Sequence, residues 1–478
     1  MPPGQNNKQT HPERTTNPYN FNPIILREYD IRGEIGKNLS EADAYALGRA
    51  FGTFVHRRGG KTVAVGYDGR LTSPALAAEV TRGLTDTGLD VIAIGLGPTP
   101  MLWFTVKHLG TDAGVMVTGS HNPASFNGFK MTLQKEPVFG ALIQSIGDIA
   151  AKGGFYNPPE PGIVKHVAVQ NDYVARLLSD LTGARSLSIA WDCGNGAAGN
   201  VIRDIVTKIP GKHILLYEEI DGTFPNHHPD PTVDQNLADL RKAVLDNRCD
   251  LGIGFDGDGD RIGVIDENGD ILRCDTLLAL YAAEILKRKP GAPIIGDVKC
   301  SQALFDEIKR FGGIPIMSKT GHSLVKAKMV ETKSPLAGEL SGHIFFADGY
   351  YGFDDAVYCA IRLINLVNSA KGGLSTLTAH LPKTYNTPEI RVDVPEDEKF
   401  TIVPKIIKTM KKNKNVEISD IDGIRVQTSD GWWLLRPSNT QSCLSARAEA
   451  NSPQALDRIK AMAMEELEKL GYSLDFDS

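Results

Sequence analysis

Ser120 stands between Gly119 and His121 in TGSHNPASFNGFK (118–130), a segment rich in Gly, Asn and Pro that Lys130 closes. A serine oxygen becomes a nucleophile when a neighbour takes its proton, and it can handle phosphate when cations stand close. His121 and Lys130 supply both kinds of neighbour. The acyl-hydrolase elbow G-x-S-x-G requires a glycine where this chain has Asn122, so acyl hydrolysis is disfavoured. A second cluster, LGIGFDGDGDRIGVID (251–266), sets Asp256, Asp258 and Asp260 at alternate positions. Gly252, Gly254 and Gly257 satisfy G-x-G-x-x-G, but no helical pattern follows and three carboxylates would repel a pyrophosphate. An EF-hand is excluded because Arg261 stands where its turn needs glycine. Carboxylates this dense repel one another unless a cation joins them, and an all-oxygen set suits Mg²⁺.

Two further segments carry hydrogen-bonding groups. In PLAGELSGHIFF (335–346), Glu339, Ser341 and His343 alternate, which in an extended segment points all three to one face. A carboxylate, a hydroxyl and an imidazole on one face suit a polyhydroxy ligand. RPSNTQSCLSARAEA (436–450) gathers Arg436, Ser438, Asn439, Thr440 and Arg447. Guanidinium, hydroxyl and backbone donors together make a phosphate cradle, and the missing GK[ST] ending separates it from a Walker loop.

The elements around these segments are those of α/β domains. KTVAVGYD (61–68), DVIAIG (90–95) and AGVMVTG (113–119) read as buried strands. Helical patterns separate them, one over 73–88 with Ser73 as N-cap and Pro74 after it. A βαβαβ succession implies a largely parallel sheet. The strand–turn–helix pattern restarts at SLSIAWDCGNGAAGNVIRDIV (186–206) and APIIGDVKCSQALFDEIKR (292–310), with Asp68, Asp192 and Asp297 at corresponding strand ends. This weak threefold repeat would bring three loop clusters to one crevice, because α/β sheets bind ligands at the carboxyl ends of their strands. The last hundred residues read as antiparallel strands with helices over 401–413 and 452–471, an α+β domain. Linkers are expected at 153–162, 266–274 and 380–388.

Composition narrows the partners. Lys+Arg 52 against Asp+Glu 58 gives −6, which disfavours a broad nucleic-acid-binding surface, so phosphate must be held by a local basic pocket. No run of 18 apolar residues predicts a membrane span. Six cysteines without metal-like spacing read as reduced thiols of a cytoplasmic protein. The polar N-terminus lacks the apolar core of a secretory signal and reads as a disordered tail.

Taken together, TGSHNP, DGDGDR, GELSGH and RPSN, in this order and spacing, resemble the α-D-phosphohexomutase family, and GELSGH its phosphomannomutase/phosphoglucomutase branch. The resemblance spans REYDIRG (27–33) to RPSNTQS (436–442). It implies a tail over 1–22 and three α/β domains with mixed sheets over 23–160, 161–266 and 267–382. A C-terminal α+β domain, a helix-capped antiparallel sheet over 383–478, completes a heart shape around a central cleft. Ser120 would carry a phosphoryl group, and Asp256, Asp258 and Asp260 would hold Mg²⁺ with a phosphoserine oxygen. Glu339 and Ser341 would hold sugar hydroxyls, and Arg436, Ser438, Asn439 and Thr440 the non-reacting phosphate. Tyr29, Arg32, His121, Lys130, Arg261, Lys299, His322 and His343 match the family's pocket positions. Lys130, Arg32 and His343 are candidates for proton transfer. The substrate implied is a hexose phosphate, of mannose or glucose, with a hexose 1,6-bisphosphate as activator and intermediate. Gln441-Ser442 departs from the family's usual loop after its donors have passed. A metal-dependent phosphatase and a non-enzymatic sugar-phosphate sensor share parts of this set. The first has no use for a distal phosphate grip, and the second none for a serine beside a metal triad.

Overall fold

The computed structural model describes residues 17–476, apart from 135, 184, 396 and 439–442. Three mixed sheets and one antiparallel sheet follow one another along the chain. In the first, Thr62–Tyr67 lies in parallel between Asp90–Leu96 and Ala113–Val117. The antiparallel Phe126–Leu133 and Ile31–Glu34 complete that side. In the second, Leu187–Asp192 pairs in parallel with Gly211–Leu216 and Leu251–Phe255, and Ile262–Asp266 adds antiparallel. In the third, Pro293–Asp297 pairs in parallel with Ile314–Ser318 and Leu336–Gly338, and Ile344–Phe346 adds antiparallel. The apolar runs that form the parallel strands are covered by helices on both faces, as such sheets require.

The threefold repeat is therefore real in three dimensions. In each unit a parallel strand turns back as an antiparallel hairpin, and the turn is one of the chemistry-bearing loops: 118–125, 256–261 and 339–343. The aspartate at the end of the central strand holds the loop in two units. Asp68 Oδ2 accepts from Gly119 N at 3.2 Å, and Asp297 Oδ1 accepts from Leu340 N at 3.2 Å. Asp192 binds its own turn instead, through Gly194 N, and also His227.

The fourth sheet is antiparallel throughout, ordered Tyr385–Asn386, Cys443–Ala450, Gly431–Pro437, Ile424–Gln427, Glu417–Ser419. The helices Lys399–Met410 and Pro453–Glu468 pack on it over a core containing Trp433.

Several expectations need correction. Residues 17–22 are not a free tail. Tyr19 donates to Asp43 Oδ1 at 2.9 Å and Phe21 is buried, because two aromatics interrupt the polar composition. The first sheet runs past residue 160, through Val164–His166 beside Asp90–Leu96; its exposed residues give no strand signal. The stretch 266–274 is no linker. Asp266 Oδ1 accepts from Asn268 N and Asp270 N, both at 2.9 Å, and Ile271–Leu272 returns along the second sheet. Ser73 is not a cap: it lies inside the helix Ser73–Thr85 and its hydroxyl donates to Asp68 at 2.6 Å. All six cysteines are buried and unbridged. No described helix is long and apolar enough to cross a membrane.

Candidate active site

A cleft of about 910 Å³ opens where the four domains meet. Ser120 lies on its wall, 1% exposed, with φ of +49°. Non-glycine residues rarely adopt that conformation, and the surroundings enforce it here. Arg70, fully buried behind the loop, donates to four carbonyls: Ser120 O at 2.7 Å, Asn122 O at 2.6 Å, Pro123 O at 2.7 Å and Phe126 O at 2.9 Å. Gly119 has no room for a side chain, since a Cβ there would lie 2.5 Å from the Arg70 guanidinium. Ser120 Oγ is thereby fixed 3.0 Å from Asp256 Oδ2 and 3.2 Å from His121 Nδ1. Burial, then the nearby Arg261 and Arg32 cations, push the His121 pKa well below the usual imidazole range. A neutral ring can take a proton from the serine oxygen.

Asp256, Asp258 and Asp260 are each 0% exposed and form the floor beneath Ser120. Their turn is held from within, since Asp260 N and Arg261 N both donate to Asp256 Oδ1 at 3.1 Å. Lys130 Nζ reaches across from the first sheet to Asp258 Oδ2 at 2.7 Å and Asp260 Oδ2 at 2.5 Å. Burial opposes ionisation of both partners. The Lys130 ammonium nevertheless draws the Asp258 pKa below its ordinary value, and Asp258 and Asp260 draw that of Lys130 up. Asp256 behaves oppositely: burial, then Asp258 and Asp260, raise it well above the carboxylate range.

The acidic floor is a fitting seat for a divalent ion. One oxygen from each aspartate lies within 4.8 Å of the others. Oδ1 of Asp258 and of Asp260 is buried without a hydrogen-bond partner among the described residues. A buried set made only of carboxylate oxygens suits a hard cation such as Mg²⁺.

Basic side chains face this floor. Arg32 donates to Asn122 Oδ1 at 2.7 Å and pairs with Asp30. Arg261 Nε lies 3.0 Å from His343 Nε2. An arginine nitrogen can only donate, so that imidazole nitrogen accepts and the other carries hydrogen. His343 Nδ1 is 3.1 Å from Asp354 Oδ2, whose carboxylate also takes Lys326 Nζ at 3.0 Å. His322 stacks on His343 at 5.4 Å, and burial followed by Lys326 holds its pKa well below the usual range.

The third loop differs from the extended segment expected. Glu339 N donates to His343 O and Gly342 N to Glu339 O, so GELSGH is a tight hairpin turn, with Gly342 at φ +101°. Glu339, Ser341 and His343 still line the cleft together. Burial raises the Glu339 pKa, and its Oε1 accepts from Gly321 N at 2.5 Å. On the fourth domain, Arg436 and Ser438 line the same cleft, with Arg447 beside them. Arg436 Nε donates to Asp422 Oδ2 at 2.9 Å. Lys299 donates to Glu389 Oε2 at 3.1 Å, and Tyr29 to Thr320 O at 2.8 Å. Asn439 and Thr440 lie outside the described residues. Every other catalytic or substrate-binding candidate named from the sequence lines the cleft, and the three aspartates lie beneath Ser120.

The residues that sequence reasoning missed are the ones that hold these: Arg70, Thr99, Asp354, Lys326, Glu389 and Asp422. Thr99 Oγ1 donates to Asp258 Oδ2 at 2.5 Å. Repetition offered one signal, since Asp68, two residues before Arg70, was visible as a strand-end aspartate.

A histidine on a serine hydroxyl, carboxylates behind it and cations in front is equipment suited to moving a phosphoryl group, set in a cleft that four domains share. Residues 23–157, 171–269 and 273–385 match alpha/beta/alpha domains I, II and III of phosphoglucomutase/phosphomannomutase, and 389–466 its C-terminal domain. The chain is 41% identical over 450 residues to the phosphomannomutase/phosphoglucomutase of Pseudomonas aeruginosa (strain PAO1), covering 94% of this chain and 96% of that one. It is 39% identical over 437 residues to the phosphoglucomutase of Neisseria gonorrhoeae, covering 91% and 95%. The X-ray structure of a phosphoglucomutase/phosphomannomutase family protein from Burkholderia thailandensis matches with a TM-score of 0.90 at 38% identity, covering 95% of this chain and all of that one. The chain belongs to the phosphoglucomutase/phosphomannomutase family, whose enzymes are isomerases.

Proposed function

We propose that the protein interconverts the 1- and 6-phosphates of a hexose, mannose or glucose, through a phosphoryl group carried on Ser120. The observation that carries the reading is the setting of Ser120 Oγ, 3.0 Å from Asp256 and 3.2 Å from His121, in a cleft that Arg436 also lines. A free hydroxyl of the hexose phosphate attacks the phosphorus of phosphoserine. The new P–O bond forms as the bond to Ser120 Oγ breaks, giving a hexose 1,6-bisphosphate. One proton moves in the same exchange, from the attacking sugar hydroxyl to the departing serine oxygen; the His121 ring, 3.2 Å from that oxygen, can take it up and hand it on, so no proton is left over. The bisphosphate turns over in the cleft and returns its other phosphoryl group to Ser120 by the same exchange in reverse, so no water is consumed. Asp256, Asp258 and Asp260, with a phosphoserine oxygen, would hold Mg²⁺, which supplies charge neutralisation for the transferring group.

In this reading Glu339 and Ser341 hold the sugar hydroxyls, while Arg436, Ser438, Asn439 and Thr440 grip whichever phosphate is not reacting. Tyr29, Arg32, Arg261, Lys299 and His322 line the path between. Lys130 and His343 are less suited to proton transfer than the sequence alone indicated. Lys130 is held charged by two aspartates, and His343 Nε2 is taken by the Arg261 N–H. Six buried thiols suit the cytoplasm. Incubation with glucose 1-phosphate and a trace of glucose 1,6-bisphosphate tests the reading. The same incubation is run with mannose 1-phosphate and its 1,6-bisphosphate; the 6-phosphate of at least one sugar without matching free phosphate is expected, while stoichiometric free phosphate, or no turnover of either, overturns it.

A further inference from the structure

The Thr320–Gly321 segment is where three domains meet over the cleft. From the first domain, the Tyr29 hydroxyl donates to Thr320 O at 2.8 Å. From the third, Glu339 Oε1 accepts from Gly321 N at 2.5 Å. From the fourth, Asp422 Oδ2 accepts from Thr320 N at 3.1 Å and from Arg436 Nε at 2.9 Å. One carboxylate oxygen thus holds both the guanidinium of Arg436 and the N–H of Thr320, one residue before the N–H that holds Glu339. The segment has little freedom to adjust. Gly321 has φ of +131°, and a Cβ there would lie 2.4 Å from the Tyr29 ring.

The geometry points to Asp422 as a positioning residue that ties the phosphate grip at Arg436 to the hydroxyl-reading carboxylate at Glu339. This rests on the roles proposed above for those two residues. An arginine has many rotamers, and fixing its Nε edge before the ligand arrives removes much of the ordering cost of binding. The side chains of Asp422 and Arg436 are 11% and 7% exposed, so the charge-assisted bond between them is sheltered from water. The same oxygen fixes Thr320, so displacement of Asp422 is felt at Gly321 N and from there at Glu339. The linkage matters most when the bisphosphate turns over. The sugar and its distal phosphate must then be released and regripped together, or the intermediate escapes.

Kinetics of the full-length enzyme on glucose 1-phosphate test this, with Asp422→Asn, Glu339→Gln and the double variant. Asp422→Asn keeps the shape and removes the charge. It should raise KM roughly tenfold, the weakening of one charge-assisted hydrogen bond, with kcat within about twofold. Release of glucose 1,6-bisphosphate should rise with it. In the double variant the combined KM effect should be at least about threefold smaller than the product of the single effects, because one substitution has already loosened what the other removes. Phosphoserine content at Ser120 reports that each variant is folded, since neither residue touches that loop. If Asp422→Asn fails this check, Tyr29→Phe replaces it in the cycle, removing the first domain's hold on Thr320. Multiplicative KM effects, or an unchanged KM in the variant used, overturn the linkage. Arg436→Ala separates the two levels of the argument. If it and Glu339→Gln both leave KM unchanged, the roles assigned to the grip have failed and the linkage with them. If both raise KM while the cycle is multiplicative, only the linkage has failed.

Discussion

Replacing Lys130 with methionine keeps most of the side-chain volume and removes the ammonium from a site where nothing else described balances Asp258 and Asp260 as closely. The two contacts are 2.7 and 2.5 Å, and both aspartates are 0% exposed. At an effective dielectric constant of about 20, one such pair attracts by roughly 6 kcal/mol, most of it offset by the desolvation of the charges. Removing one partner of a buried pair leaves the other uncompensated, which costs about 3–5 kcal/mol. Lys130→Met should therefore lower the denaturant midpoint strongly in the presence of a chelator. Saturating Mg²⁺ should restore most of the loss, because a divalent ion on the same carboxylates replaces the missing charge. Paired denaturant titrations of wild type and variant, each with chelator and with Mg²⁺, measure this as a difference of differences. The reasoning is refuted if the variant loses the same stability under both conditions, or loses less than about 1 kcal/mol with chelator.

Two other outcomes follow from the supporting residues. Arg70→Lys offers one ammonium where a guanidinium now spans four carbonyls of the serine loop. It should lower kcat by about tenfold or more through misplacement of Ser120, and an unchanged kcat contradicts that role. Lys299 holds the Glu389 pKa down to about 2 from 4.5. The folded value is the lower one, so this stabilisation is present above pH 4.5 and is lost as pH falls towards 2. Glu389→Gln should remove that part of the acid limb, and an acid-unfolding profile of unchanged shape contradicts it.

The reach of sequence reasoning follows the locality of each feature. Ser120 with His121, and the three alternating aspartates, were legible because their chemistry is written within a few consecutive residues. The parallel strands were legible because burial on both faces makes them continuous apolar runs. The GELSGH turn was misread as extended. Alternation suits a strand, but Gly342, in the left-handed region, bends the segment into a hairpin. Ser73 looked like a helix cap because its competing partner, Asp68, becomes visible only once the strand end and the helix start are brought together. Arg70 was invisible for a related reason. Its partners are backbone carbonyls fifty residues away, and carbonyls carry no sequence signature. Asp354, Glu389 and Asp422 act on residues in other elements or other domains, so only the assembled cleft reveals them. The strand Val164–His166 is exposed and lacks apolar alternation, which leaves its pairing without a trace in the residue types.

The central claim is that Ser120 carries the phosphoryl group that is exchanged. Intact-mass and peptide analysis of the purified protein, before and after brief exposure to labelled glucose 1,6-bisphosphate, tests it directly. The account predicts a single phosphate adduct on the peptide containing Ser120, acquired from the bisphosphate and passed on to unlabelled glucose 1-phosphate. Ser120→Ala should abolish both the adduct and turnover. Full mutase activity in Ser120→Ala, or a labelled phosphate found on a different residue, would contradict it.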